Sequence, residues 1–515
     1  MKKEHWLQSV MFAIIYCASG WAFAQVPTSS FSVLGHIQEL DVDDLNDPLS
    51  KGFIVVNGLR ITLPKNLLIT MPGQYLTLND LFRGSHPFDT GGAIRPATKP
   101  SGLALKDRNL TASPPVITPA VSFEAEIIGN IVNGEYIAGV VRISQGGLNV
   151  GEGFIQSIDY DKGELLVGPE AGTGVATARV RINDPKGEYG NQNKDKFPGN
   201  PDVMDERFSS DAGNAPVVAE TGFPMCIPRS NPSVKKDDLC PISNRPVPLT
   251  IRRFTCGKVA AIDPIAIPHK ECDPQKKMPL QEGDFITYSG MLTEETPNSG
   301  NWFIAAHAIH AKLGIYTSPN EDPAYVFIEE AISGTLGQPF PGIDQEETSR
   351  FRLVGFTTDP ARRVKVFVLN YQFDVTTNKW VENERPLTTL TPSPTAQVGR
   401  IRVTLPAKAN FLPITREVRI RIENHDTFKV GRLNSGQYTA PVSEYIYPEN
   451  TRFGQYKNPV PVPFENFCFL TNDSGPLTTL DRPEKGAPVV GRLNPFPASG
   501  HATAQLRADG TPACP

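Results

Sequence analysis

His307-Ala308-Ile309-His310 is the only close histidine pair in the chain and follows the extended, apolar run Trp302-Phe303-Ile304-Ala305-Ala306. Residues three apart share a face of a helix but lie on opposite faces of a regular strand, so this spacing on a strand favours ordinary barrel histidines over a metal or catalytic pair. Glu329-Glu330 is an adjacent acidic pair, and neighbours on a strand diverge, whereas glycoside hydrolysis needs two carboxylates flanking one bond. The chain contains no G-x-S-x-G nucleophile turn and no HExxH helix. Asp41, Asp43, Asp44 and Asp47 crowd one turn and offer the hard oxygens that calcium takes. Their spacing does not fit an EF-hand, because Leu45 and Leu49 stand where ligands are needed. Solvated turn residues account for the four equally well.

Two binding chemistries remain. Sugar platforms use exposed aromatics, for which Trp302 is the candidate, although core packing explains most aromatic residues. Arg252, Arg253 and Lys258 belong to a stretch with a local excess of positive charge, suited to a glycan or another anionic polymer. The whole chain is mildly acidic, with a formal net charge of −5. That balance makes nucleic acid a poor partner, since affinity for phosphate backbones rests on clustered Lys and Arg.

Glycine and proline, at 43 and 48 of 515 residues, are plentiful enough to predict many turns and few long helices. Met1-Lys2-Lys3, the apolar stretch from Val10 to Tyr16 and the closing Ala22-Phe23-Ala24 form a secretory signal pattern over residues 1–24. No later run is long and apolar enough to predict a transmembrane segment. Export to an oxidising compartment, secreted or periplasmic, makes Cys226, Cys240, Cys256, Cys272, Cys468 and Cys514 a disulfide set. Spacing favours Cys226 with Cys240, Cys256 with Cys272, and Cys468 with Cys514, among the several connectivities that six cysteines allow.

The strongest internal signal is Gly-x-(Ile/Val)-x-x-(Leu/Ile)-Asp. It occurs as Gly35-His36-Ile37-Gln38-Glu39-Leu40-Asp41, as Gly153-Phe154-Ile155-Gln156-Ser157-Ile158-Asp159, and as Gly257-Lys258-Val259-Ala260-Ala261-Ile262-Asp263. Two apolar positions three apart on a strand share a face only across a bulge, and the closing Asp suits a turn. Asn57-Gly58 adds a hairpin signal between apolar runs. Bent, bulged antiparallel strands of this kind close small barrels. The order of these motifs, with Glu282-Gly283-Asp284-Phe285-Ile286-Thr287-Tyr288-Ser289-Gly290 after the third copy, resembles the opening strands of OB-fold barrels repeated in secreted bacterial proteins. The resemblance implies oligonucleotide or oligosaccharide binding on one barrel face, but carries over no particular residue.

The expected architecture is therefore mainly β, with few short helices. Residues 25–115, 116–185 and 246–345 are three OB-like modules, and 186–245 is a Pro/Asn/Asp-rich loop held by a disulfide. Residues 346–430 alternate at period two, as in Val364-Lys365-Val366-Phe367-Val368, and read as β-sandwich-like. Residues 431–515 form an irregular, disulfide-tied region. Leu76 to Arg83 is the clearest helical stretch. The function these residues favour is a secreted, non-enzymatic binding or structural protein without an organic cofactor, with self-association through strand edges as one mode. The alternative is an extracellular hydrolase with a dispersed carboxylate or histidine site.

Overall fold

The computed structural model describes residues 29–441, leaving aside 84–95, 112–120, 192–204, 259–266, 335–349, 407–416 and several shorter stretches, together with the strand at Val490–Gly491. It is mainly β, with 49% strand and 4% helix. The first barrel is made by Ser29–Val42, Gly52–Val56, Leu59–Leu63, Glu124–Val132 and Glu135–Ser144. Strand 1 runs antiparallel to strands 2 and 4, and strand 4 antiparallel to strand 5. Strands 3 and 5 close the ring in parallel, with Ile61 opposite Tyr136. The second barrel repeats this order with Asn149–Asp159, Glu164–Gly168, Ala178–Ile182, Phe285–Glu294 and Trp302–Ala311, closing where Val180 faces Ile304.

The repeated motif explains why strand 1 can serve both halves of each ring. Register shifts between Ile37 and Glu39, and between Ile155 and Ser157, leave Gln38 and Gln156 as the extra residues of two bulges. Ile37 and Leu40 consequently both point inward, as do Ile155 and Ile158. The glutamines then tie the bulges to the hairpins beyond them. Gln38 Oε1 accepts the Gly58 amide at 2.7 Å, and Gln156 Oε1 accepts the Gly174 amide at 3.0 Å while its Nε2 donates to the Glu170 carbonyl at 2.8 Å. Asp159 Oδ1 accepts the amides of Asp161 and Lys162 at 3.0 Å each, forming the turn its side chain favours.

Strand pairing overrides the expected boundaries at 116 and 246. Glu124–Val132 and Glu135–Ser144 complete the first barrel, not a second module. Phe285–Glu294 and Trp302–Ala311 complete the second barrel, not a third. Arg253–Cys256, which leads into the third motif copy, pairs in parallel with Ile267–His269 and Gly314–Thr317, and most of that copy lies within 259–266, outside the described residues. The physical cause is a long insertion between strands 3 and 4 of each ring, which local periodicity does not register. Both insertions add a strand parallel to strand 5, through Ile69 opposite Val141 and Val217 opposite Ile309. In the first insertion, Leu78–Leu81 is the expected helical turn, capped by Thr77 and Asp80 in a capping box.

The sandwich begins earlier and ends later than 346–430. Val326–Gly334, Arg350–Thr357 and Arg400–Pro406 form one sheet, and Lys379–Leu390, Val364–Asp374, Glu417–Ile422 and Gln437–Pro441 form the other. Val326, Phe351, Leu353 and Ile401 meet Val364, Val366, Val418 and Ile420 in a shared core. Gln437–Pro441 therefore gives the region after 430 a regular strand, and Val490–Gly491 pairs with Gln372 and Phe373.

Side chains join the two barrels and their insertions. Arg207 of the second insertion donates to the Leu81 and Ser101 carbonyls of the first at 2.8 and 2.7 Å, and Phe208 stacks on Phe123. Gln145, just past the first barrel, bonds both backbone groups of Leu292 in the second.

Candidate functional site

Alternation in Ala178-Arg179-Val180-Arg181-Ile182 buries Val180 and Ile182 inside the second barrel and puts both arginines on its outer face. There they meet Glu164 of strand 2 and Glu295, the residue following strand 4. Arg179 clasps Glu164 with Nε at 2.8 Å and Nη2 at 2.9 Å, and reaches Glu295 at 3.0 Å. Arg181 bridges the same two carboxylates at 2.8 and 2.9 Å, with its guanidinium 4.3 Å above the Phe303 ring. Lys162, in the turn between strands 1 and 2, lies 3.3 Å from Glu295.

Arg181 is only 1% exposed, so its charge requires these partners. Burial alone pushes the Glu295 carboxyl up, but the hydrogen bonds from Arg181 and Arg179 outweigh it and hold the group at about 2. The Arg179 guanidinium is shifted up, chiefly by its hydrogen bonds to Glu164. Three cations against two carboxylates leave this cluster with an excess positive charge. Trp302 opens strand 5 beside it: its carbonyl accepts from Arg179 at 3.4 Å, and the residue is 36% exposed. Half-exposed Arg179, Lys162 and the Trp302 surface form the solvent side of an otherwise enclosed network.

The other expected site residues do not assemble here. Arg252 and Arg253 belong to the second insertion, where Arg253 pairs with Gly314 beyond the far end of strand 5 and its guanidinium meets the Tyr316 hydroxyl at 3.3 Å. Trp302 and Ala311 mark opposite ends of that strand, about 30 Å apart at the rise of an extended chain. Lys258 is exposed within the same insertion. Arg252, Arg253 and Lys258 therefore do not share a patch with Trp302.

His307 is the extra residue of a bulge in strand 5, between Ala306 opposite Gly290 and Ala308 opposite Ser289. Its Nε2 lies 3.2 Å from Ser289 Oγ, while the buried Nδ1 has no hydrogen-bond partner among the described residues. Burial, aided by His310, lowers the His307 imidazole to about 4. A serine and histidine in contact resemble the first half of a hydrolytic triad, yet among the described residues no group bonds Nδ1 to orient the ring from its other side, and burial disfavours its protonation. His310 packs edge-on against Phe327 of the sandwich, its imidazole likewise lowered to about 4 by burial.

Among the described residues no group of three or more His, Cys, Asp or Glu side chains gathers at metal-binding distance. Asp41, Asp43, Asp44 and Asp47 do not converge. Asp44 Oδ1 instead accepts the Asn46 amide, and Asp41 pairs with Lys99. The bridges Cys226–Cys240 and Cys256–Cys272 are formed, with Cα atoms 5.9 and 4.9 Å apart, and Cys468 and Cys514 lie outside the described residues. No helix among the described residues is long and apolar enough to cross a membrane.

The ion network escaped the sequence reading, although charged residues alternating with apolar ones at 179–182 were its visible trace. Glu295 belongs to it only through folding, more than a hundred residues away. No protein family, curated protein or solved structure matches this chain.

Proposed function

We propose that this protein is a secreted, non-enzymatic binding protein, and that the outer face of its second barrel around Lys162, Arg179 and Trp302 takes an anionic glycan or similar acidic polymer. The observation that carries this reading is the exposed Trp302 surface set beside a cation-rich network whose buried half is already neutralised. A preformed network holds Arg179 in place, so little side-chain entropy remains to be lost on binding. An indole beside a cation suits a sugar ring that bears a carboxylate or sulfate.

Binding of the oxidised protein to immobilised acidic and neutral polysaccharides, with and without calcium, tests the proposal. Retention on acidic chains alone is expected, with at least a tenfold loss in Trp302→Ala and Lys162→Ala and a decline with added salt. Equal retention of neutral chains, or unchanged binding by both variants, overturns it. The hydrolase alternative draws on the Ser289 and His307 contact. Turnover of a polysaccharide or ester abolished by Ser289→Ala, with folding retained, would decide for it.

A further inference from the structure

Histidine is the side chain whose unperturbed titration lies nearest neutral pH, and two of the five described histidines, His310 and His425, make contacts at or beside the junction between the second barrel and the sandwich. His310, partly buried in barrel strand 5, sits opposite Thr287 and Val218 and meets the Phe327 ring edge-on at 4.8 Å. Phe327, in the first sandwich strand, packs in turn on Tyr438 at 5.4 Å. It also approaches Gly222 so closely that a methyl group there would lie 2.8 Å from its Cβ.

His425 secures the sandwich side. Its Nε2 accepts the Ala324 amide at 2.9 Å, two residues before that first strand, and its side chain is fully buried. Asp322 stands 3.3 Å away, and Arg362 and Asp426 complete the charges around it. On the barrel side, Lys312 is the charged group acting on His310, which in turn acts on His307.

A neutral imidazole can lie against Phe327, and a neutral Nε2 can accept an amide proton. An imidazolium places a charge in the first contact and loses the acceptor needed by the second. We propose that the junction between the second barrel and the sandwich is an acid-sensitive latch, closed while His310 and His425 are neutral and loosened when they take up protons.

The direction follows from proton linkage. His310 is lowered to about 4 in the closed form from 6.5, so the open form binds more protons below that value. The latch is at full strength above pH 6.5 and weakens as the pH falls towards 4. Between pH 7.5 and 5.5 the closed-to-open ratio falls about tenfold for this one histidine. Glu295, held at about 2, keeps the ion network at the other end of strand 5 charged across that window.

Hydrogen exchange and small-angle scattering on the full chain at pH 7.5 and 5.5 test the latch. Protection over residues 312–327 is expected to drop at least tenfold at pH 5.5, with a larger radius of gyration, and the His310→Gln protein is expected to lose most of that response. Wild-type protection equal at the two pH values, or an undiminished response in the variant, overturns the proposal. If His310→Gln is unfolded at pH 7.5, His425→Gln decides, because its amide oxygen keeps the acceptor without titrating. A blunted response there supports the latch, and a full response refutes it.

Discussion

The two barrels share strand order, bulge position and insertion point, yet at equivalent registers they carry exchanged side chains. Matching Ile61 opposite Tyr136 with Val180 opposite Ile304 aligns Arg60 with Arg179, Thr62 with Arg181, Phe53 with Glu164, and Glu135 with Phe303. In the first barrel Arg60 lies 3.9 Å over the Phe53 ring, and Thr62 donates to Glu135 at 2.6 Å. In the second the aromatic ring moves to strand 5 and the carboxylate to strand 2, where two arginines share it with Glu295. The repeated motif therefore specifies how a ring closes. What the ring displays depends on positions outside the motif.

The largest expected difference between the barrels comes from the bridges. Both described disulfides lie in the second insertion, and residues 29–144 contain no cysteine. Each closes a short loop, worth about 3 kcal/mol on the chain-entropy estimate. Reduction should cost the second barrel about 6 kcal/mol in all if the two add, with little effect on the first. Segment-resolved hydrogen exchange reads this directly, and equal loss of protection in both barrels would contradict the division.

The ion network ranks next. Arg181→Met leaves Glu164 and Glu295 short of a buried partner and should cost about 3–5 kcal/mol. Thr62→Val at the equivalent position removes one hydrogen bond at a partly solvated site and should cost about 1 kcal/mol. Denaturant midpoints of the two variants compare them, and similar shifts would mean that the network is no more than surface decoration.

How much of this was legible beforehand depended on sequence distance. Gly35 to Asp41 and Gly153 to Asp159 disclose their bulges because the signal, two apolar residues three apart, fits within seven residues. Val364 to Val368 disclosed a sandwich strand by the same local logic. Strand 4 of the second barrel was legible as a strand in Phe285-Ile286-Thr287-Tyr288, but its partner, Gly151 to Phe154, lies across the whole insertion. Nothing local distinguishes a strand returning to an old ring from one that opens a new ring. The candidate site failed for the same reason: Arg179 and Arg181 are adjacent to Glu164 through one hairpin, whereas Glu295 joins them only once the ring has closed. The local sequence places His307 at a regular strand position, and the bulge that displaces it depends on register against Ser289 and Gly290.

The smallest contrast tests the motif itself. Both opening glycines lie where a methyl group would collide with a neighbour, but the obstacles differ in kind. At Gly153 the added carbon would come within 2.6 Å of the Gly168 carbonyl oxygen, part of the strand 2 backbone. At Gly35 it would meet Asn57 Oδ1 at 2.2 Å, the end of a side chain in the hairpin turn. Backbone can yield only by displacing the ladder, so Gly153→Ala should cost about 1–3 kcal/mol. Asn57 can rotate away, surrendering its 3.0 Å hydrogen bond to the Leu34 carbonyl, so Gly35→Ala should cost about 1 kcal/mol. Adding Asn57→Gly to Gly35→Ala removes the obstacle and retains the left-handed backbone that Asn57 adopts at φ 51°. That second change should recover most of the loss in the denaturant midpoint. No side-chain deletion offers the same relief at Gly153. If Gly35→Ala proves the costlier substitution, or Asn57→Gly fails to rescue it, the Asn57 side chain is not what holds a methyl group out of the Gly35 position.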